Sequence, residues 1–234
     1  MLNGINKISV YGDSILKGAV TGTDSGNLFD VLEENGLSIA AKTLQFELNN
    51  QSVFGNIVTK GIRKLRREID RGVISDLAII ESGGNDCDYD WNIVCESPSE
   101  FHNPRVPLDD FIKTIDEMVG ICRQNKITPL LMTMPPLVED WWFEHLCKSF
   151  NEQGVRDFTK NMPSVLYQNH EIYNFAILKY CHENNVQFVD MRFEILKTGH
   201  YRDFMCRDGI HQNYEGHTFM AQVWERELPN VKKE

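Results

Sequence analysis

The sequence has no long apolar run, no signal-peptide pattern and no excess of positive charge. A membrane-spanning helix needs roughly 18–20 consecutive apolar residues, and no stretch of this chain approaches that length. The first residues, MLNGINKISV, lack the basic start, apolar block and small-residue cleavage site of a signal peptide. We therefore expect a cytoplasmic protein that does not insert into membranes.

Paired metal ligands are also lacking, because the six cysteines are scattered and form no Cys-x-x-Cys motif. Without a secretion signal, reduced thiols are expected. Asp86-x-Asp88-x-Asp90 looks like the start of a calcium-binding EF-hand loop. However, Trp91 stands where this loop needs glycine, and Ser97 where it needs glutamate. We expect no metal and no other cofactor.

The net charge of −10 excludes some partners. An acidic surface repels phosphate backbones, so nucleic-acid binding is not expected. The main basic cluster, residues 63–67, lies in a helical pattern and is interpreted as a solvated helix face. A small-molecule ligand is the expected partner, and the sequence leaves a homo-oligomer open.

Short apolar runs alternate with amphipathic stretches along the chain. The predicted strands are Lys7–Val10, Ser52–Phe54, Asp76–Glu81, Thr128–Met134 and Val186–Val189. The predicted helices are Ser38–Leu48, Thr59–Arg71, Leu108–Asn125, Ser164–Asn184 and Tyr214–Leu228. This alternation predicts a three-layer α/β sandwich around a mostly parallel sheet. We expect one domain over residues 1–234, since no linker and no repeat interrupts it.

Residues 87–107 and 138–163 do not follow the alternation and are predicted to be irregular loops rich in aromatic residues. Both follow predicted strands, where α/β folds bind ligands. Packing within the loops explains the aromatic residues more simply, but contact with a substrate is the alternative. The candidates for that contact are Trp91, His102, Trp141 and Trp142.

Two short polar motifs lie near the ends of the chain. Gly12-Asp13-Ser14 follows the first predicted strand, and a serine at such a turn can expose its hydroxyl and its backbone N–H. Asp208 and His211 lie three apart before the last predicted helix, so the carboxylate can hold the imidazole in one tautomer. Either motif alone also fits an ordinary turn or helix cap.

A third motif, Ser82-Gly83-Gly84-Asn85-Asp86, follows the most apolar predicted strand. Its glycines allow the backbone to approach a ligand closely, and the side-chain amide of Asn85 is a neutral donor suited to an oxyanion. A turn without function is the alternative. The order of the three motifs in one α/β chain is more specific than any of them alone.

This combination resembles the SGNH hydrolase family, also called GDSL-like lipases or acylhydrolases. The matching stretches run from Ser14 to His211. The resemblance implies a flavodoxin-like three-layer α/β/α sandwich and a cofactor-free carboxylic ester hydrolase. Ile15 stands where the family's name motif has leucine, an apolar exchange that leaves the chemistry unchanged.

The resemblance also implies roles for individual residues. Ser14 would be the nucleophile, His211 the general base and then acid, and Asp208 its orienting partner. The oxyanion hole would be formed by Ser14, Gly55 and Asn85.

The assignment of Gly55 rests on a looser match than the others. Gly55 follows Asn50 at about the place of the family's second block, and Gly61 is the fallback. Asp13, beside the nucleophile, is a further candidate for contact with the substrate.

The expected activity is hydrolysis of a short-chain acyl or acetyl ester on a small or carbohydrate substrate, because no segment resembles an apolar lid helix for a lipid surface. An acyltransferase that uses the same serine is one alternative, and a non-catalytic binding module is another. The Gly-x-Ser-x-Gly elbow of ordinary α/β-hydrolases is absent, which disfavours that class.

Overall fold

The computed structural model of the chain describes residue 2 and residues 4–22 and 29–234. Its strands are β1 (Lys7–Tyr11), β2 (Ala19–Val20), β3 (Asp30–Val31), β4 (Glu47–Asn50), β5 (Leu77–Ile80), β6 (Thr128–Met132) and β7 (Gln187–Val189). Its α-helices are α1 (Ser14–Lys17), α2 (Gly36–Leu44), α3 (Val58–Asp70), α4 (Trp91–Glu96), α5 (Leu108–Gln124), α6 (Glu139–Ser149), α7 (Glu152–Thr159), α8 (Ser164–Asn184), α9 (Met191–Leu196) and α10 (Tyr214–Glu227).

Five strands form a parallel sheet in the order β4-β1-β5-β6-β7. In the register of the central strands, Ile8 lies opposite Leu48 on one side and Leu77 on the other. Parallel neighbours require crossover connections, and helices provide them here. The next strand of the sheet, β4, lies on one side of β1, and β5 to β7 are added on the other side, as in flavodoxin-like sheets. The predicted α/β sandwich with a mostly parallel sheet is confirmed.

Helices cover both faces of this sheet. One apolar cluster joins the sheet to α2, α9 and α10 around Leu37 and Trp224. The other joins it to α3, α5 and α8 around Leu65. Successive side chains of a strand point to opposite faces, so Ile79 belongs to the first cluster and Ile80 to the second. Burial on both faces explains the continuous apolar run of β5.

The segments 87–107 and 138–163 are not irregular throughout, which corrects the prediction. They contain the short helices α4, α6 and α7. Asp90 caps α4 and Asn151 caps α7 by accepting hydrogen bonds from backbone N–H groups of the first turn. These helices pack mainly against one another and α8, so their apolar spacing differs from that of a helix lying on a sheet. They form a third apolar cluster, whose buried residues include Trp91, Leu146 and Val155.

The second predicted strand, Ser52–Phe54, is wrong, and the strand in this part of the sheet is β4. The predicted helix Ser38–Leu48 was too long, because α2 ends at Leu44 and Gln45 adopts a left-handed conformation with φ of 59°. The strand β4 follows directly and pairs with β1 at the edge of the sheet. Residues 52–54 are not a strand. A half-exposed edge strand needs little apolar surface, so its sequence (ELNN) gave no strand signal.

In the described ranges, none of the helices combines the length and the apolar character required to cross a bilayer. The six cysteines have free thiols, and three of them contribute to the cluster around Leu65.

Candidate active site

Ser14 lies at the carboxyl end of β1 and is the first residue of α1. Asp13 caps this helix, because its Oδ1 accepts a hydrogen bond from the backbone N–H of Ile15 at 2.8 Å. The first N–H groups of a helix have no partner within it. Accordingly, no acceptor for the backbone N–H of Ser14 is found among the described residues.

Two hydrogen bonds connect Asp208, His211 and Ser14. The Oδ2 of Asp208 lies 2.6 Å from Nδ1 of His211, and Nε2 of His211 lies 2.8 Å from Oγ of Ser14. All three side chains are buried. The serine and the histidine are 197 positions apart in the sequence, so only the fold brings them together.

The carboxyl group of Asp208 is in a position to stay ionised. Burial acts to raise its pKa, but hydrogen bonds from the imidazole of His211 and from the backbone N–H groups of Ile210 and His211 lower it below its usual value. A carboxylate here accepts from Nδ1–H, so the neutral imidazole presents an unprotonated Nε2 to the hydroxyl of Ser14. This arrangement can accept the proton of Ser14 and stabilise the resulting imidazolium.

The loop that carries Asp208 and His211 is held against the start of α6. Gly209 has a φ of +78°, and a Cβ atom on it would lie 2.5 Å from the carbonyl oxygen of Val138 and 2.6 Å from the nitrogen of Trp142. The backbone N–H of Val138 also donates to the carbonyl of Gly209 at 2.9 Å. Only glycine fits this approach, which sets the position of the loop.

The donors expected in an oxyanion hole line the same cavity as the Ser14 hydroxyl. The amide of Asn85, after β5, donates one N–H to Oδ2 of Asp13 at 2.8 Å, which leaves its second N–H for a ligand. Gly55 lies in the turn after β4, and its backbone N–H has no acceptor among residues that the structure describes. Gly61 lies inside α3 and does not line the cavity, so the fallback is not supported.

Glu81 is a buried acidic residue that the sequence analysis did not single out. Its Oε2 accepts a hydrogen bond from the backbone N–H of Asp13 at 2.9 Å, and both residues line the cavity. Burial and the nearby carboxyl group of Asp13 raise the pKa of Glu81 well above its usual value. These surroundings favour the protonated form of the Glu81 carboxyl group. The signal that could have identified it is an acidic residue directly after a fully apolar strand.

The cavity around Ser14 has a volume of about 320 Å³. Phe29 contacts the ring of His211 edge-on at 5.2 Å between centroids and also contacts Phe54 at 5.5 Å. Trp142 stacks on His145 at 5.4 Å, and both rings line the cavity. Asp13 and Trp142, two of the predicted substrate contacts, are thus cavity residues.

The other three predicted substrate contacts do not line the cavity, which corrects those predictions. Trp91 is 2% exposed and packs against Phe158 in the third cluster. His102 places Nε2 2.9 Å from the carbonyl oxygen of Ser97. Trp141 lies beneath the guanidinium of Arg207, which is 4.4 Å from its ring centroid. Their rings contact neighbouring segments instead.

The side chains of Asp86, Asp88 and Asp90 each accept a hydrogen bond from a different donor. Asp86 accepts from the backbone N–H of Val58 at 2.8 Å, which caps α3, and burial raises its pKa to about 7. Asp88 accepts from the indole N–H of Trp91, and Asp90 caps α4. Within the described ranges, no group of three His, Cys, Asp or Glu side chains could hold a metal ion.

Comparisons with known proteins agree with this architecture. The model of the GDSL-like Lipase/Acylhydrolase family matches residues 10–219. Comparison with curated proteins finds no match. Among solved structures, a lipase/acylhydrolase from Enterococcus faecalis has a TM-score of 0.63 at 16% identity, over 98% of this chain and 99% of that one. A catalytic mutant of an acetylxylan esterase from Geobacillus stearothermophilus has a TM-score of 0.63 at 21% identity, over 97% and 95% of the two chains.

At these identities the solved structures show a common fold, and the family match extends over most of the chain. The chain therefore belongs to the GDSL-like Lipase/Acylhydrolase family, a family of carboxylic ester hydrolases.

Proposed function

We propose that this protein hydrolyses carboxylic esters through an acyl-enzyme on Ser14, with His211 as general base and acid and Asp208 as its orienting partner. The observation that carries the proposal is the pair of hydrogen bonds that link His211 to its two partners: Nδ1–H donates to Asp208 at 2.6 Å, and Nε2 accepts from the Ser14 hydroxyl at 2.8 Å. No other described serine has this environment of a buried imidazole and a buried carboxylate.

In the first half of the reaction, Oγ of Ser14 attacks the ester carbonyl carbon while Nε2 of His211 takes the hydroxyl proton. The carbonyl oxygen becomes an oxyanion, which accepts hydrogen bonds from the backbone N–H groups of Ser14 and Gly55 and from the amide of Asn85. The C–O bond to the alcohol then breaks, and His211 gives its proton to the leaving oxygen. The acyl group remains on Ser14.

In the second half, a water molecule attacks the acyl-enzyme while His211 takes one of its protons. The same donors hold the second oxyanion. When the bond to Ser14 breaks, His211 returns the proton to Oγ, and the acid leaves. Asp208 stays ionised throughout and stabilises the imidazolium that forms in each half.

We infer that the substrate carries a short acyl or acetyl group on a small or carbohydrate alcohol. The cavity volume of about 320 Å³ is at the lower end of the range for small-molecule sites. One protein of similar fold is an acetylxylan esterase. The cytoplasmic location stays a prediction, and the oligomeric state is left open.

The test is a panel of p-nitrophenyl esters and acetylated sugars, hydrolysed by the wild-type protein and by Ser14→Ala. We expect Ser14→Ala to lower kcat/KM by roughly 10³-fold or more, because the nucleophile is lost. Ser164→Ala, at an exposed serine of α8 outside the cavity, is the matched control. A fluorophosphonate should label the wild type and not Ser14→Ala.

Retained activity in a folded Ser14→Ala protein would refute the proposal. Acyl transfer to an added sugar that outpaces hydrolysis would replace the hydrolase with an acyltransferase that uses the same serine. An unlabelled and inactive wild-type protein would indicate a binding module.

A further inference from the structure

The cavity that contains Ser14 is also lined by polar side chains that the proposed reaction does not use, and these include Asp88, Arg105, Asn169 and His170. Arg105 pairs with Asp88 at 3.6 Å, and the Asn169 amide donates to the carbonyl of Cys87. His170 is held through one ring nitrogen, and its other ring nitrogen has no hydrogen-bond partner in the described part of the protein.

The hydrogen bond between His170 and Arg192 defines the tautomer of the imidazole. Nδ1 of His170 lies 3.3 Å from Nη1 of Arg192. A guanidinium can only donate, so Nδ1 accepts and the proton of the neutral ring is on Nε2. His170 is only 9% exposed and is one of the residues that line the cavity. Nε2–H is thus a donor without a protein partner on a buried residue of the cavity wall.

Arg192 is itself fixed, which makes His170 a rigid donor. Arg192 is 4% exposed, and its guanidinium donates to the carbonyl oxygens of Met134 and Pro135 at 3.4 and 3.2 Å. It also pairs with Glu171, the neighbour of His170 on α8. A donor held by such a network cannot turn away to find another partner, so its acceptor has to come from inside the cavity.

The charge of His170 supports the same role. Burial, together with the positive charge of Arg192, lowers the pKa of His170 to about 3. The ring is therefore neutral at the pH of an ordinary esterase assay. A neutral buried donor favours a hydroxyl, ether or carbonyl oxygen over an apolar group, because an apolar group would leave the N–H unpaired.

We propose that His170 is a specificity-determining residue that donates a hydrogen bond from Nε2 to an acceptor oxygen of the substrate outside the reacting ester group. This inference rests on the proposed function only in that the substrate enters the cavity of Ser14. The alcohol part of the ester, as in an acetylated sugar, or the acyl part can supply this oxygen.

The experiment compares two matched pairs of substrates. In the alcohol pair, mono-acetylated xylose supplies ring and hydroxyl oxygens, and cyclohexyl acetate has a ring of the same size without them. In the acyl pair, p-nitrophenyl methoxyacetate and p-nitrophenyl butyrate differ by one oxygen in place of a methylene. The ratio of kcat/KM values within each pair is measured for each protein variant, so that intrinsic reactivity cancels between variants.

The variants are His170→Phe, which removes the donor, and His170→Gln, whose amide can donate in its place. We expect His170→Phe to lower the ratio in one pair by about tenfold, equivalent to about 1.4 kcal/mol, and His170→Gln to recover part of it. His182→Phe, at an exposed histidine of the same helix, is the control and should change neither ratio. If His170→Phe does not fold, His170→Asn takes its place, since its amide oxygen can still accept from Arg192.

A lower ratio in the alcohol pair or in the acyl pair supports the proposal and identifies which part of the substrate supplies the oxygen. Unchanged ratios in both pairs, or an equal loss for all four substrates in a folded variant, would overturn it. Calorimetric binding of the alcohol pair to Ser14→Ala, with and without His170→Phe, is independent of turnover. If Ser14→Ala binds the acetylated sugar more tightly than cyclohexyl acetate, and His170→Phe removes this preference, the role of His170 is supported even if Ser14 is not the nucleophile.

Discussion

Asn85 is positioned by a residue next to the proposed nucleophile. Its amide gives one N–H to Asp13, which itself is held by Glu81, so the second N–H has a defined direction. An oxyanion donor acts more strongly in the transition state than in the ground state. We therefore expect Asn85→Ala to lower kcat by roughly 10²–10³-fold with a smaller effect on KM.

Steady-state kinetics on a p-nitrophenyl ester measures this effect. Asn92→Ala, at an exposed asparagine of α4, is the matched control and should keep wild-type kinetics. A change in KM alone for Asn85→Ala would indicate that the amide binds the substrate without stabilising the oxyanion.

His217 is a second residue whose surroundings predict a measurable effect, here on stability. It is 2% exposed on α10, and its Nε2 has no hydrogen-bond partner among the residues described. Burial lowers its pKa from 6.5 to about 4, partly opposed by a hydrogen bond to the backbone of Ala19. Between these two pH values the unfolded chain binds a proton that the folded protein does not, so folding is less stable as the pH falls.

The expected size of this loss is up to about 3 kcal/mol between pH 6.5 and pH 4. His217→Leu removes the titrating group, so its free energy of unfolding should depend less on pH over this window than that of the wild type. Urea denaturation at several pH values gives both curves. Parallel curves for the two proteins would show that His217 is protonated equally in the folded and unfolded states.

At the scale of elements, the loop between the 3-10 helix Tyr201–Phe204 and α10 depends on its contact with the start of α6. Gly209→Ala would place a methyl group within 2.5 Å of the Val138 carbonyl oxygen. We expect Gly209→Ala to destabilise the protein by about 3 kcal/mol and to lower kcat/KM, because the loop carries Asp208 and His211.

Gly199→Ala separates the two causes of this effect. Gly199 has the same φ of +78°, but a Cβ there would meet nothing within 4 Å. Its substitution should cost only about 1 kcal/mol of backbone strain and leave kcat/KM unchanged. Equal destabilisation by the two substitutions would mean that the approach of the loop to α6 contributes nothing.

At the scale of the whole molecule, the sheet separates two apolar clusters that share its strands. Leu37 belongs to the cluster with α2 and α10, and Leu65 to the cluster with α3 and α5. We expect Leu37→Ala and Leu65→Ala each to lower the free energy of unfolding by about 2–5 kcal/mol. Since the residues lie on opposite faces, the double variant should show the sum within about 0.5 kcal/mol.

Denaturation of these variants also tests the predicted single domain. One cooperative transition that shifts with either substitution is expected if both clusters unfold together. Two transitions, each sensitive to one substitution alone, would contradict that prediction.

The regular elements were predictable where the apolar pattern is strong. The α8 helix has the predicted bounds, Ser164–Asn184, and β5 lies within the predicted run. The edge strand β4 was missed because it buries little apolar surface, and α4, α6 and α7 were missed because they pack mainly against each other. Patterns of hydrophobicity report burial against a sheet, and these elements have no such pattern.

The residues of the proposed site were likewise predictable only in part. Ser14, Asp208 and His211 were identified from short motifs, because a turn after a strand and a three-residue spacing are local properties. The contributions of Glu81 and His170 to the cavity were not identified, since each depends on a partner distant in the sequence, Asp13 or Arg192.

The amino-acid order alone was enough for the fold class, which follows from periodic burial. It was also enough for the resemblance to the family and for the chemical groups available for a reaction, which rest on short local motifs. The identity of the side chains that face the substrate required the folded chain. Trp91 and Trp142 are equally aromatic in the sequence, yet one is packed in the third cluster and the other lines the cavity. That difference arises from the packing of helices against one another, which no local pattern encodes.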